Sequence, residues 1–231
     1  MKIVKNDLFD YNNRYIYQLN EGFKFSLDSI LLSEYTKPKD NLKILDMCTG
    51  NAVIPLILSL KTNSEITGFE IQEVIYDLAK KSVSLNKLDK QIKIINDDIN
   101  NIDKYFKTNY FDIITCNPPY FKNNCSIKNE IEYKNIARHE MKINLDNIFK
   151  ISYKYLKDKG LLYMSHRPER LDEIINVATN NKMGVKEIIF IMTNNTKIPT
   201  LMLLKCVKNS KNNVKIKVED VSKCSTYQHI F

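Results

Sequence analysis

Ile44-Leu45-Asp46-Met47-Cys48-Thr49-Gly50-Asn51-Ala52 runs from an apolar strand, through a tight turn, into the start of a helix. Such a turn brings backbone N–H groups and the positive end of a helix toward an anionic ligand group. Only Gly50 is glycine, so this is not the Gly-x-Gly-x-x-Gly dinucleotide fingerprint, and no Gly-Lys-Ser/Thr follows to make a P-loop. The strand is expected over 42–47 and the helix over 53–60, with Pro55 in its first turn, where a missing N–H does no harm. Working outward, hydrophobic periodicity predicts strands over 66–69, 91–96 and 110–116 and a helix over 73–86. Downstream come helices over 145–157 and 171–180 and strands over 161–165, 185–192 and 200–207. Upstream, 25–35 reads as a helix with Ser26 or Asp28 as its cap and Ile30, Leu31 and Leu32 as its apolar face. Short strands alternating with helices argue an α/β protein with a parallel sheet.

The ends of those strands carry the chemistry. Glu70 ends the second strand, 24 residues after Asp46, where an acidic group can take ribose hydroxyls. Asp97-Asp98-Ile99 ends the third, and one of its carboxylates could face the exocyclic amine of an adenine. Each acid on its own is equally a cap for the helix that follows. The fourth strand, ending in Cys116, runs into Asn117-Pro118-Pro119-Tyr120. By itself this tetrapeptide is either a polyproline turn or a site for an amine on an aromatic ring. In the second reading the Asn117 side-chain oxygen and the Pro118 carbonyl accept the amine hydrogens, Pro119 stiffens the loop, and the Tyr120 ring stacks on the base. Residues 117–142 form a long polar loop, a feature that is often functional inside a compact domain.

The chain has 231 residues, enough for one substantial core. Its formal net charge of +8 favours a polyanionic partner, most simply nucleic acid, although a Lys-, Asn- and Ile-rich composition also follows from genome base composition. No apolar run approaches the ~20 residues that span a bilayer, and the N-terminus lacks the apolar core of a signal peptide. The five cysteines, at 48, 116, 125, 206 and 224, form no Cys-x-x-Cys pair, and there are three histidines. Reduced thiols, no metal and a cytoplasmic location are expected.

The ordered set Asp46 to Ala52, Glu70, Asp98 and Asn117 to Tyr120 resembles the motifs of class I S-adenosylmethionine-dependent methyltransferases, in the branch that methylates amino nitrogens. Ile16-Tyr17-Gln18, Phe25-Ser26-Leu27-Asp28-Ser29-Ile30-Leu31-Leu32, Cys48-Thr49-Gly50-Asn51, Phe69-Glu70-Ile71-Gln72, Ala137-Arg138-His139-Glu140 and His166-Arg167-Pro168 narrow the resemblance to the bacterial tRNA1(Val) (adenine-37-N6)-methyltransferase family. The likeness runs from about residue 14 to about residue 207. Ala52 departs from it, standing where that family usually has glycine.

The resemblance implies a Rossmann-like, mostly parallel seven-stranded sheet with helices on both faces and an antiparallel last strand. It implies one domain: an N-terminal helical cap or entry segment over 1–41, a catalytic core over 42–207 and a basic C-terminal extension over 208–231. The implied reaction is transfer of a methyl group from S-adenosyl-L-methionine to the N6 amine of a tRNA adenine in the anticodon loop, by a monomer or weak dimer. The implied catalytic residues are Asn117, Pro118, Pro119 and Tyr120. The implied cofactor contacts are Phe25, Ser26, Asp46, Cys48, Thr49, Gly50, Asn51, Glu70, Ile71, Asp98, Ile99 and Asn117. Arg138, His139, His166, Arg167 and Arg170 lie after strand ends and are read either as RNA phosphate contacts or as ordinary solvated charge, with His139 alternatively bonding within the long loop. The lysines of the tail either extend that footprint or protect an edge strand. Related loops also suit methyltransferases acting on rRNA, DNA or protein glutamine, and a non-catalytic RNA-binding protein on the same scaffold would share the basic charge.

Overall fold

Residues 2–8, 11, 14–20, 26–119, 144–192 and 198–221 are described by the computed structural model. A hairpin of β1 (Ile3–Asp7) and β2 (Tyr15–Leu19) leads into helix α1 (Leu27–Tyr35). Then follow β3 (Lys43–Asp46), α2 (Val53–Leu58), β4 (Glu65–Glu70), α3 (Glu73–Leu85) and β5 (Ile92–Asn96). A 3-10 turn (Ile99–Lys104) precedes β6 (Phe111–Cys116). Beyond the loop come α4 (Leu145–Tyr155), β7 (Leu156–His166), α5 (Leu171–Asn180), β8 (Met183–Met192), β9 (Leu201–Lys208) and β10 (Lys215–Asp220).

The large sheet has the order β10-β8-β9-β7-β6-β3-β4-β5. All its neighbours pair in parallel except β9, which runs antiparallel between β7 and β8. The expected seven strands are present with their antiparallel last member, and β10 adds an eighth at the edge. Part of the expected C-terminal extension is therefore sheet. Lys215 and Lys217 lie exposed on that edge strand, where Lys217 pairs with Glu187.

The N-terminal segment is a hairpin followed by a helix. The β-formers Tyr15, Ile16 and Tyr17 favour a strand, and two of its backbone N–H groups find side-chain acceptors on α3 and on the residue that caps its C-terminus. Tyr15 donates to Asn86 Oδ1 and Tyr17 to Ser82 Oγ. β7 starts at Leu156, five residues before the expected strand, because Leu156 turns extended and is fully buried opposite Phe111. A register shift then lets the polar Lys157–Gly160 stretch bulge out before Ile113 meets Leu161.

Two apolar cores sandwich the sheet. One lies under α1, α2 and α3, with Ile30, Leu31, Ile44, Leu56, Ile66 and Ile189. The other lies under the 3-10 turn, α4 and α5, with Leu45, Phe69, Ile114, Phe149, Met164 and Ile174. Covering both faces leaves the carboxyl ends of the parallel strands as the crevice of such a sheet. No helix among the described residues is long and apolar enough to cross a membrane.

Candidate active site

The β3–α2 turn is built from two left-handed residues, Gly50 at φ 53° and Ala52 at φ 68°. Glycine adopts this conformation freely, whereas for alanine it costs about 1–2 kcal/mol. The turn persists because its neighbours determine it. Thr49 N–H donates to the Phe69 carbonyl, Ala52 N–H to the Thr49 carbonyl, and Gly50 N–H to Glu70 Oε2 at 3.0 Å. The Gly50 amide is thus committed to a carboxylate of the protein itself, not left for an anionic ligand. Gly68 supplies the room: a Cβ there would sit 2.7 Å from Thr49 Oγ1 and 2.9 Å from Thr49 Cβ.

Two buried carboxylates flank this turn. Asp46 is fully buried, and burial pushes its carboxyl up to about 6 despite a 2.7 Å hydrogen bond from Thr115 Oγ1. Glu70 is raised too, mainly by burial, while N–H groups of Gln72, Gly50 and Ile71 partly offset the desolvation. Around them, both polar atoms of the Asn51 amide are buried without a hydrogen-bond partner, and Asp46 Oδ2 and Thr49 Oγ1 have no partner beyond the proximity of the Thr49 hydroxyl to the Asp46 carboxyl. Buried polar atoms normally find a partner, so this cluster has the character of a site completed by a ligand. An acidic, partner-poor cluster at the strand ends suits a molecule with cationic groups and several hydrogen-bond donors; a sulfonium amino acid joined to a nucleoside fits it.

The neighbouring strand ends extend the pocket. Cys48 is half-buried, and Ile71 is half-exposed just beyond β4. The Ile99 side chain packs into the second core, so only its backbone is left to face a ligand. Asp98 caps the 3-10 turn by accepting Asn100 N–H through Oδ1 at 2.9 Å. Asp97 is occupied by Asn101 and Tyr105, which hold its carboxyl below the usual range. Both acids therefore act as local caps, and Asp98 is the less committed of the pair.

At the end of β6, Asn117 is half-buried, and Pro118 and Pro119 follow it. Asn117 Nδ2 donates to Ser29 Oγ at 2.8 Å, and Asn117 Oδ1 accepts the Ser165 hydroxyl at 2.6 Å. Ser26 Oγ lies 3.5 Å from the same amide nitrogen, so Ser26 borders Asn117 as well as opening α1. The asparagine thus joins α1 and β7 to the strand that carries it. Ser29 and Ser165 were not among the expected site residues. Their signal was there in Phe25-Ser26-Leu27-Asp28-Ser29 and next to His166-Arg167-Pro168, but hydroxyls carry no motif without the register that brings them to Asn117.

The expected RNA contacts need correction. His166 is 2% exposed, its Nδ1 accepts the Arg167 N–H at 2.8 Å, and burial lowers its pKa to about 4. A neutral, buried imidazole is not a phosphate contact. Arg167 is turned inward, donating to the Thr200 carbonyl and lying 3.7 Å from Asp28, so it braces α1 against β7 and β9. Arg170 is half-exposed and forms a two-pronged pair with Glu173, at 2.8 and 2.6 Å, which neutralises its charge locally. Phe25, Tyr120, Arg138 and His139 lie outside the described residues. Cys48, Cys116 and Cys206 are free thiols, and no metal-ligating cluster occurs among the described residues.

The Methyltransferase domain family model matches residues 38–203. A tRNA1(Val) (adenine(37)-N6)-methyltransferase of Phocaeicola vulgatus is 24% identical over 201 residues, covering 87% of this chain and 84% of the relative. One of the same name from Bacteroides thetaiotaomicron is 22% identical, covering 92% of this chain and 88% of the relative. Among solved structures, a "predicted O-methyltransferase" of Agrobacterium tumefaciens superposes with a TM-score of 0.65 at 17% identity, covering 83% of this chain and 86% of that one. Pyrococcus horikoshii TYW2 in complex with MeSAdo gives 0.59 at 13% identity, covering 86% of this chain and 70% of that one. These structural likenesses speak for the fold.

Proposed function

This chain belongs to the methyltransferase domain family, and on that premise we propose that it methylates the N6 amine of an adenine in tRNA, adenine-37 of a valine tRNA. The observation that carries this reading is the Asn117 amide at the end of β6, in a sheet whose adjacent strand ends hold the Asp46–Glu70 pocket. The substrate follows from the relatives named for that reaction over most of their length.

Asp46, Glu70, Thr49 and the partnerless amide of Asn51 would hold S-adenosylmethionine, with Ser26, Cys48, Ile71, Asp98 and the Ile99 backbone around it. When bound, that cofactor supplies a methyl group on a positively charged sulfur, which leaves as a neutral thioether. The chain's task is to prepare the nitrogen. An adenine amine is a weak nucleophile because its lone pair is delocalised into the ring. Asn117 Oδ1 and the Pro118 carbonyl accept the two amine hydrogens, which favours a pyramidal nitrogen whose lone pair points away from the ring. Positioning and fixed dipoles carry the catalysis, and no strong base is required. Tyr120 stacks on the base, which leaves the RNA stack at a cost of about a few kcal/mol. A tRNA substrate and reduced thiols support a cytoplasmic location.

The test is to incubate the protein with unmodified tRNA and labelled cofactor and to map the product nucleoside by mass spectrometry. N6-methyladenosine at position 37 of a valine tRNA is expected. Asn117→Ala should abolish it while lowering cofactor affinity far less. Methyl transfer to a different nucleoside, or full activity of the variant, rejects the reading.

A further inference from the structure

Asn117 is held from outside its own loop. Pairing of Cys116 with Met164 in the β6–β7 ladder sets Asn117 beside Ser165, the next residue of β7. Ser165 is completely buried and Ser29 half-buried on α1. The Ser165 hydroxyl donates to the amide oxygen at 2.6 Å, and the amide nitrogen donates to Ser29 Oγ at 2.8 Å.

The orientation matters chemically. An amide oxygen has two lone pairs, and an amide nitrogen has only hydrogens to offer. Ser165 occupies one lone pair and leaves the other for a hydrogen of an incoming amine. Were the amide turned over, its own NH2 would face the amine, donor against donor. We propose that Ser165 and Ser29 are positioning residues that hold the Asn117 side chain between β7 and α1 so that its oxygen can reach the amine, a role that rests on the methyl-transfer reading above. Neither serine touches the reacting atoms. Their effect is on the fraction of molecules whose Asn117 oxygen faces the substrate, and that fraction scales the chemical step. Cofactor binding, at Asp46 and Glu70, is unaffected. The α1 side of the clamp is itself anchored, since Arg167 at the end of β7 reaches Asp28, the neighbour of Ser29.

The test is single-turnover methylation of unmodified tRNA at saturating S-adenosylmethionine. It compares wild type, Ser165→Ala, Ser165→Thr, Ser29→Ala, Asn117→Ala and the Ser165→Ala/Asn117→Ala double variant. Cofactor affinity is measured by calorimetry and folding by melting. Ser165→Ala should slow the chemical step by about 10- to 100-fold at unchanged cofactor affinity, the scale of a misplaced reacting group. Ser165→Thr keeps the hydroxyl and should restore the rate to within about threefold, and Ser29→Ala should show a smaller loss. The double variant should be no slower than Asn117→Ala alone, because residues that act through one another are not additive. Rates within about twofold of wild type for both serine variants, with Asn117→Ala inactive, overturn the clamp and leave the methyl-transfer reading standing. Parallel loss of cofactor affinity and melting temperature in Ser165→Ala, unrelieved by threonine, also overturns it, in favour of a purely structural serine. Full activity of Asn117→Ala refutes the reading itself.

Discussion

Asp46→Asn should make the protein more stable at neutral pH and change how its stability depends on pH. Asp46 is fully buried, with one oxygen bonded to Thr115 and the Thr49 hydroxyl as its other polar neighbour. Its pKa rises from the ordinary 3.8 to about 6, a difference of about 3 kcal/mol between the protonation states. Between those values the folded protein holds a proton that the unfolded chain has released. This stabilisation is complete below 3.8 and is lost as pH rises through 6. His166 acts in the opposite sense. Its pKa falls from 6.5 to about 4, so its contribution is present above 6.5 and disappears as pH falls toward 4, again by about 3 kcal/mol. In the wild type the two nearly cancel across this window. Asparagine removes the first and exposes the second. The new amide keeps an acceptor for Thr115 but brings a buried NH2, at a cost of about 1–3 kcal/mol unless Thr49 Oγ1 accepts from it. The net expectation at pH 7.5 is a gain of up to about 3 kcal/mol together with weaker cofactor binding, the trade-off of a strained site. Urea unfolding of both proteins from pH 4 to 8, without cofactor, measures it. The stability difference, variant minus wild type, should grow with pH between about 4 and 6 and then level off. A difference curve flat across that range, or a variant less stable at pH 7.5, refutes the argument.

Gly68→Ala places a methyl group against Thr49 Oγ1 and Cβ, so the β3–α2 turn must shift; a loss of about 1–3 kcal/mol and weaker cofactor binding are expected from unfolding and calorimetry. Ala52→Gly relieves about 1–2 kcal/mol of left-handed strain, but it frees the unfolded chain by about 0.4–1 kcal/mol and removes a buried methyl worth about 0.8 kcal/mol. Unfolding should therefore place it within about 1 kcal/mol of the wild type. Arg170→Ala should leave the salt dependence of tRNA binding unchanged, since Glu173 already balances its charge; a slope smaller by about one would return it to the phosphate contacts.

Hydrophobic period and strand-end chemistry were local properties, and they determined most of this molecule from sequence. The alternation of apolar strands and amphipathic helices requires a sheet covered on both faces. A sheet of that kind puts Asp46, Glu70, Asp98 and Asn117 at one edge whatever the side-chain details. Leu171–Asn180 formed as expected because its apolar positions repeat at helical spacing and nothing nearby competes. The hairpin at Tyr15–Leu19 was not legible, since its strands are held by Ser82 and Asn86 some 65 and 71 residues away. β10 was legible only as one of two readings of the lysine-bearing tail, an edge strand or an RNA footprint, and the edge that β8 offers decides for the strand. Charge was the least reliable guide. A sequence shows that His166, Arg167 and Arg170 are basic, but only packing decides that one is buried and neutral, one spans two elements and one is already paired. The same holds at the centre of the site. Asn117 and its neighbouring prolines announce an amine-binding end to β6, while the direction its amide faces depends on Ser29 and Ser165, 88 and 48 residues away. Local composition sets which groups are available; long-range contacts, through burial and hydrogen bonding, set their charge and orientation.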